Sequence, residues 1–140
     1  MELNILRADP AGNITVFVLD PVEKAQRAAI AEKIMAIPAL KAEQVGYACA
    51  AEDDVDGHME MMGGEFCGNA TRAYGMYIAQ QKGGLSSVRL RVSGCDHVVT
   101  AQVDLKSGTA RAEMPCPRSV KRVMVNGHEG TLVDLTGIAH

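Results

Sequence analysis

The sequence predicts an α+β fold in which a barrel-like, largely antiparallel sheet wraps around one buried helix. Residues 70–79 are small and apolar on nearly every side of a helix, as expected for a helix that the core encloses. From residue 88 onward, short stretches alternate between apolar and polar side chains and are separated by turn residues, which is typical of strands. One apolar helix among many short strands favours a curved sheet around that helix.

Two strands, a helix and two further strands are predicted before the buried helix. Residues 9–12, Asp-Pro-Ala-Gly, form a turn between the first two strands. The first helix covers residues 21–35, with Asp20 as its N-cap and Pro21 at its first position. The four strands of this half cover residues 2–8, 13–19, 44–50 and 58–62.

About five short strands are predicted after the buried helix. Each alternates between apolar and polar side chains, and Gly or another turn residue separates it from the next. They cover residues 88–92, 97–105, 109–114, 121–125 and 131–135. With 140 residues, the chain has the size of one domain, here residues 1–140.

Composition excludes several classes of partner. A net charge of −3, without a run of Lys or Arg, argues against nucleic acid and anionic membranes.

The chain starts without an export segment and holds no apolar run of about 20 residues, so a cytoplasmic location is expected. The four cysteines are then expected to be thiols. No Cys-x-x-Cys pair occurs and the four histidines are scattered, so no metal site is expected.

Cys67 lies where the buried helix begins. Gly63 and Gly64 precede it closely, and Gly68 and Asn69 open the helix. The first turn of a helix has unpaired N–H groups and a partial positive charge, which attract a carboxylate and lower the pKa of a thiol. Such a position can hold an anionic group next to a thiolate. The same pattern also fits a buried structural cysteine in front of a helix.

The segment GGEFCGNATRA around Cys67 resembles the first cysteine motif of the diaminopimelate epimerase-like family of cofactor-independent amino-acid racemases and epimerases. Three other segments resemble this family in the same order: Gly12 with Asn13, the Glu43-Gln44-Val45 triplet, and residues 137–140, GIAH. The resemblance implies a lobe with a barrel-like sheet around a central helix. It also implies an amino-acid substrate and no cofactor.

The resemblance assigns roles to six residues. Cys67 and His140 would be catalytic, while the substrate-binding residues would be Asn13, Gln44, Gly68 and Asn69. Without the resemblance, Asn13 is also a plain turn residue and Gln44 a strand surface residue. A terminal histidine such as His140 is usually frayed. Glu65 is by default a solvated or capping carboxylate, and His58 a core or surface residue.

Racemisation requires a base on one face of the α-carbon and an acid on the other, and the family takes its second thiol from a second lobe. Cys49, Cys95 and Cys116 lack the neighbours of that second motif, so we expect them to be structural. The chain is therefore expected to be the N-terminal lobe of a two-lobe enzyme. Its partner would be a second Cys-bearing lobe or another copy of the chain.

Departures from the family pattern argue against diaminopimelate as the substrate. Ile138 stands where the family has an Asn, and residues 58–65 contain no Asn. A non-catalytic lobe that binds a carboxylate or pairs with another chain remains an alternative. An isomerase of the phenazine-biosynthesis type is another, although that group has a different residue at the position of Cys67. Thiol redox chemistry is disfavoured because no resolving cysteine is close in sequence.

Overall fold

The structure is a computed structural model that describes residues 2–135 and 138–140. These residues form two helices, α1 (Lys24–Met35) and α2 (Gly68–Gln81). The strands are β1 (Ile5–Ala8), β2 (Thr15–Val18), β3 (Gln44–Cys49), β4 (Gly57–Met61), β5 (Ser87–Val92), β6 (Val99–Asp104), β7 (Thr109–Ala112), β8 (Ser119–Val125), β9 (His128–Leu135) and β10 (Ile138–Ala139). Within the described residues, neither helix is long and apolar enough to cross a membrane.

Strands β1 to β7 form one seven-stranded sheet in sequence order, and α2 packs against β4, β5, β6 and β7. Neighbouring strands are antiparallel except for the pairs β2–β3 and β4–β5. Each parallel pair requires a crossover connection, which α1 and α2 respectively provide. The predicted α+β fold, a barrel-like, largely antiparallel sheet around a central buried helix, is confirmed, and the main sheet forms a half-barrel.

The two helices cover opposite faces of the sheet, which explains why every residue of β2 is buried. Phe17 belongs to the cluster around α2, while Val16 and Val18 pack with Ile30 and Ile34 of α1. A strand that is covered on both faces loses the usual alternation between apolar and polar side chains. This strand and β3 carry the N-terminal part of the candidate site.

The predicted start of the first helix is wrong. Helix α1 begins at Lys24 rather than at Pro21, and its N-cap residue Glu23 makes no side-chain capping bond. The carboxylate of Asp20 instead accepts hydrogen bonds from the backbone N–H and the side-chain amide of Asn4. Asp20 therefore ties the chain segments that flank β1 and β2 together, and these bonds replace the expected cap.

The last strands do not extend the main sheet as the sequence predicted. Strands β8, β9 and β10 form a separate three-stranded antiparallel sheet in the order β10-β9-β8. Pro115 and Pro117 stand between β7 and β8, and proline has no N–H group with which to continue a ladder. Strand β10 was not predicted. Gly137, the first residue of the GIAH segment, lies outside the described residues.

Candidate active site

Cys67 lies at the start of α2, as the sequence predicted, and is the N-cap residue of this helix. Its carbonyl oxygen accepts bonds from the backbone N–H and the hydroxyl group of Thr71, at 2.9 and 2.8 Å, and its Sγ accepts the N–H of Ala70 at 3.5 Å. Among the described residues, the N–H groups of Gly68 and Asn69 have no hydrogen-bond acceptor. The start of α2 therefore presents a sulfur atom next to two free donors.

The segment in front of Cys67 is held by the turn that follows β5. The hydroxyl group of Ser93 donates to the carbonyl of Glu65 at 2.7 Å and accepts the N–H of Met61 at 2.8 Å. The next residue is Gly94, with φ +70°, where a Cβ atom would lie 2.2 Å from the backbone nitrogen of Phe66. A larger residue does not fit there, so the glycine permits the close approach that fixes Cys67.

A network of side-chain amides joins Cys67 to strands β2 and β3. The Nε2 atom of Gln44 lies 3.2 Å from the Sγ atom of Cys67, 2.9 Å from the Oδ1 atom of Asn13 and 2.8 Å from the Oγ1 atom of Thr15. Asn69 donates to the same Oδ1 atom of Asn13 at 3.2 Å. Gln44 reaches these partners because β2 and β3 pair in parallel with Thr15 opposite Gln44.

All six residues that the sequence singled out line one open cavity of about 530 Å³. They are Asn13, Gln44, Cys67, Gly68, Asn69 and His140. Sequence reasoning gave no role in the cavity to the apolar wall, which consists of Phe66, Met114, Leu135 and Ile138. Ile138 was noted as a departure from the family pattern, whereas an isolated Met114 among prolines gave no signal. The described lining residues include one carboxylate, the half-buried Glu65.

His140 lies at the rim of this cavity. Its backbone pairs with Val133 through two bonds of 2.9 and 2.7 Å, and its side chain is exposed. In the described part of the chain, no hydrogen bond joins its imidazole to Cys67. The structure thus brings His140 to the cavity without connecting it to the thiol.

Comparison with known proteins gives the chain a family. A family profile described as the histidine racemase CntK N-terminal domain matches residues 2–140. The chain belongs to this family. A histidine racemase of Fusobacterium nucleatum subsp. nucleatum (strain ATCC 25586) is 33% identical over 149 aligned positions, which cover 99% of this chain and 53% of that protein. A histidine racemase of Staphylococcus aureus (strain Mu50) is 34% identical over 99 positions, which cover 68% of this chain and 36% of that protein. The chain spans about half the length of the Fusobacterium relative.

The other thiols of this racemase-family chain lie outside the cavity, and all four cysteines are free. Burial raises the pKa of the Cys49 thiol, while the neighbouring Arg27 guanidinium, 3.5 Å from its sulfur, acts in the opposite direction. Cys95 is half-buried and lies 3.5 Å from the imidazole of His97. Cys116 is exposed, which does not fit the expected structural role.

Within the residues that the structure describes, two groups of side chains each place three possible metal ligands within 4.8 Å of one another, although the sequence predicted no metal site. The first contains Cys49, His58 and Glu60, but Glu60 forms ion pairs with Arg27 and Lys24. Two cations at this position oppose the binding of a third. The second group consists of three residues on the turn after β5, two of them exposed: Cys95, Asp96 and His97.

Proposed function

We propose that this chain is the N-terminal lobe of a cofactor-independent histidine racemase and that Cys67 transfers the proton at the α-carbon. One observation carries the proposal: the Sγ atom of Cys67, which accepts N–H donors, lies beside the free N–H groups of Gly68 and Asn69 in an open cavity. The curated relatives are named histidine racemase, which supports the substrate. The CGNA segment and the Gln44 position support kinship with the diaminopimelate epimerase-like family.

Substrate binding follows from the start of α2. The α-carboxylate accepts the N–H groups of Gly68 and Asn69, because the N-terminus of a helix favours an anion. The α-ammonium group pairs with Glu65, the carboxylate among the described lining residues. The side chain of the substrate then lies against the apolar wall that contains Met114 and Ile138. Ile138 stands where the diaminopimelate epimerase pattern has a polar Asn. This change favours a substrate other than diaminopimelate.

Proton transfer uses the thiolate form of Cys67. The sulfur takes the α-proton, and the electron pair of the C–H bond moves into the carboxylate, which becomes an enediolate. The N–H groups that hold the carboxylate stabilise this growing negative charge because they already point at it. Inversion then requires an acid on the opposite face. We propose that a second Cys-bearing lobe, or another copy of the chain, provides that acid.

A titration followed by ¹H–¹⁵N NMR tests the binding mode. L-Histidine should shift the backbone amide signals of Gly68 and Asn69, and so should imidazolepropionate, which keeps the carboxylate but lacks the ammonium group. Histamine, which lacks the carboxylate, should leave both signals in place. If histamine shifts these signals as strongly as histidine does, the carboxylate is not bound at the start of α2 and the proposal fails.

A comparison with acetate, together with exchange of the α-proton, separates a racemase lobe from a lobe that only binds carboxylates. A binding lobe would respond to histidine and acetate alike and would leave the α-proton in place. A racemase lobe additionally exchanges that proton with solvent, and this exchange must depend on Cys67. The Cys95→Ser variant is a matched control because Cys95 lies outside the cavity.

A further inference from the structure

Two charged side chains end the amide network that reaches Cys67. At one end, the carboxylate of Glu43 accepts the side-chain N–H of Asn13 and the backbone N–H of Ile14, each at 3.3 Å. At the other end, the guanidinium group of Arg72 donates to the Oδ1 atom of Asn69. An ionised carboxylate only accepts hydrogen bonds and a guanidinium group only donates them.

These ends determine which way each amide between them points. Because Glu43 only accepts, Asn13 must turn its NH₂ group toward Glu43 and its oxygen toward the other two amides. Because Arg72 only donates, Asn69 must turn its oxygen toward Arg72 and its NH₂ group toward Asn13. Both constraints leave an acceptor facing Gln44, so Gln44 must present its NH₂ group to that oxygen.

The same NH₂ group of Gln44 faces the sulfur of Cys67 at 3.2 Å and the Oγ1 atom of Thr15 at 2.8 Å. One of its two hydrogens goes to Asn13, so the sulfur and the Thr15 hydroxyl share the other. Reversing all three amides would place an oxygen against the Glu43 carboxylate and an NH₂ group against the Arg72 guanidinium, so the reversed arrangement is excluded at both ends. We infer that Glu43 and Arg72 are positioning residues that keep Gln44 donating to the Cys67 sulfur and thereby favour the thiolate. A hydrogen bond to the charged form of a group favours that form. This inference rests on the proposed role of Cys67.

The effect on the ionisation of Cys67 distinguishes the amide network of Asn69, Asn13 and Gln44, here called the relay, from simple charge effects. The ionisable groups that line the cavity together with the Cys67 thiol are Glu65 and His140. Glu43 reaches the thiol through two amides, those of Asn13 and Gln44, and Arg72 through these two and that of Asn69. Removal of the negative charge at Glu43 would, by Coulomb's law alone, make the thiolate easier to form. Removal of the positive charge at Arg72 would have the opposite effect, so the two Coulombic effects largely cancel in a variant that loses both charges. Either charged end alone still excludes the reversed arrangement. The relay therefore predicts a loss of thiolate only when neutral amides, which donate as well as accept, replace both ends.

The discriminating variants are the double variant Glu43→Gln/Arg72→Gln, the single variant Glu43→Gln and Glu32→Gln. The first replaces both charged ends by amides that donate and accept, and the second leaves Arg72 in place to hold the network at one end. The third is a matched control because Glu32 is exposed on α1, away from the cavity. Iodoacetamide labelling of Cys67 is followed from pH 5 to pH 10 by tandem mass spectrometry, and exposed Cys116 in the same sample serves as a reference for reagent and folding.

We expect the midpoint of Cys67 labelling to rise by about one pH unit in Glu43→Gln/Arg72→Gln, because a hydrogen bond to an ionised acceptor is strong. Glu43→Gln and Glu32→Gln should not raise the midpoint. A midpoint in the double variant that stays or falls would overturn the inference, as would an equal rise in Glu43→Gln alone. The readout needs no histidine, so the relay and the proposed racemase activity can fail independently of each other.

Discussion

Replacement of Gly94 by alanine tests how the chain fixes Cys67. A Cβ atom at this position would lie 2.2 Å from the backbone nitrogen of Phe66 and 2.7 Å from the carbonyl carbon of Glu65. Both contacts are with backbone atoms, which cannot rotate away as a flexible side chain would. The segment that leads into Cys67 must therefore move, or the turn after β5 must open.

Gly108 provides the matched control, because it has φ +67° and open space around its missing Cβ atom, while Gly94 has φ +70°. Alanine in this left-handed region costs about 1 kcal/mol at either position. The contacts at Gly94 add the cost of overpacking, about 2 kcal/mol. We therefore expect Gly108→Ala to lower the free energy of unfolding by about 1 kcal/mol and Gly94→Ala by about 3 kcal/mol.

Urea denaturation followed by circular dichroism measures both losses. In the folded Gly94→Ala variant, the amide signals of Phe66 and Gly68 should also shift in NMR spectra, while Gly108→Ala leaves them in place. Equal losses of stability in the two variants would refute the reasoning, since the close contact with Glu65 and Phe66 would then carry no energetic cost.

Three further predictions follow from burial and exposure. Burial raises the pKa of Tyr74 to about 12, so the contribution of the neutral Tyr74 to the free energy of unfolding should be complete below pH 10 and lost as the pH rises from 10 to 12. Urea denaturation at a series of pH values should therefore show a smaller loss of stability over this range in Tyr74→Phe than in the parent chain. Parallel plots of stability against pH for the two chains would contradict this. At pH 8, iodoacetamide should label Cys67 faster than Cys49, because the sulfur of Cys67 accepts N–H donors whereas burial raises the pKa of Cys49. Mass spectrometry measures the two labelling rates, and faster labelling of Cys49 would contradict this. Val120 and Met124 lie on one face of β8 and are 59% and 67% exposed, so they should promote self-association. Light scattering should show less association when lysine replaces both residues. A parent chain that is monomeric would contradict this.

Patterns of side chains along the sequence predicted most of the half-barrel. The small apolar residues of α2 identified it as the central helix, and Cys67 was placed correctly where that helix begins. Such features depend on a few neighbouring residues. The capping role expected for Asp20 failed because Asn4, distant in sequence, binds its carboxylate. The separate sheet of β8 to β10 was missed because alternation predicts strands but not which sheet they join.

The candidate site was predicted unevenly for a related reason. Resemblance to a family indicated Asn13, Gln44 and Cys67, and the fold brings them together through the parallel pairing of β2 and β3. Glu43 and Arg72 were quoted only as parts of the segments that carry that resemblance and were given no role, because their contacts with the amide network exist only after folding. Ionisable groups that act through other side chains carry no signal in the spacing of residues.

Deuterium exchange at the α-carbon of histidine tests the central claim most directly. The chain is incubated with L-histidine in deuterated buffer, the α-proton is followed by ¹H NMR, and the configuration is followed by chiral chromatography. We predict slow exchange with retention of the L form, because Cys67 serves one face of the α-carbon and the open cavity admits water. Exchange should vanish in Cys67→Ser and persist in Cys95→Ser. Exchange no faster than that of Cys67→Ser would contradict the claim that Cys67 moves the α-proton, and rapid inversion by the chain alone would contradict the need for a second lobe.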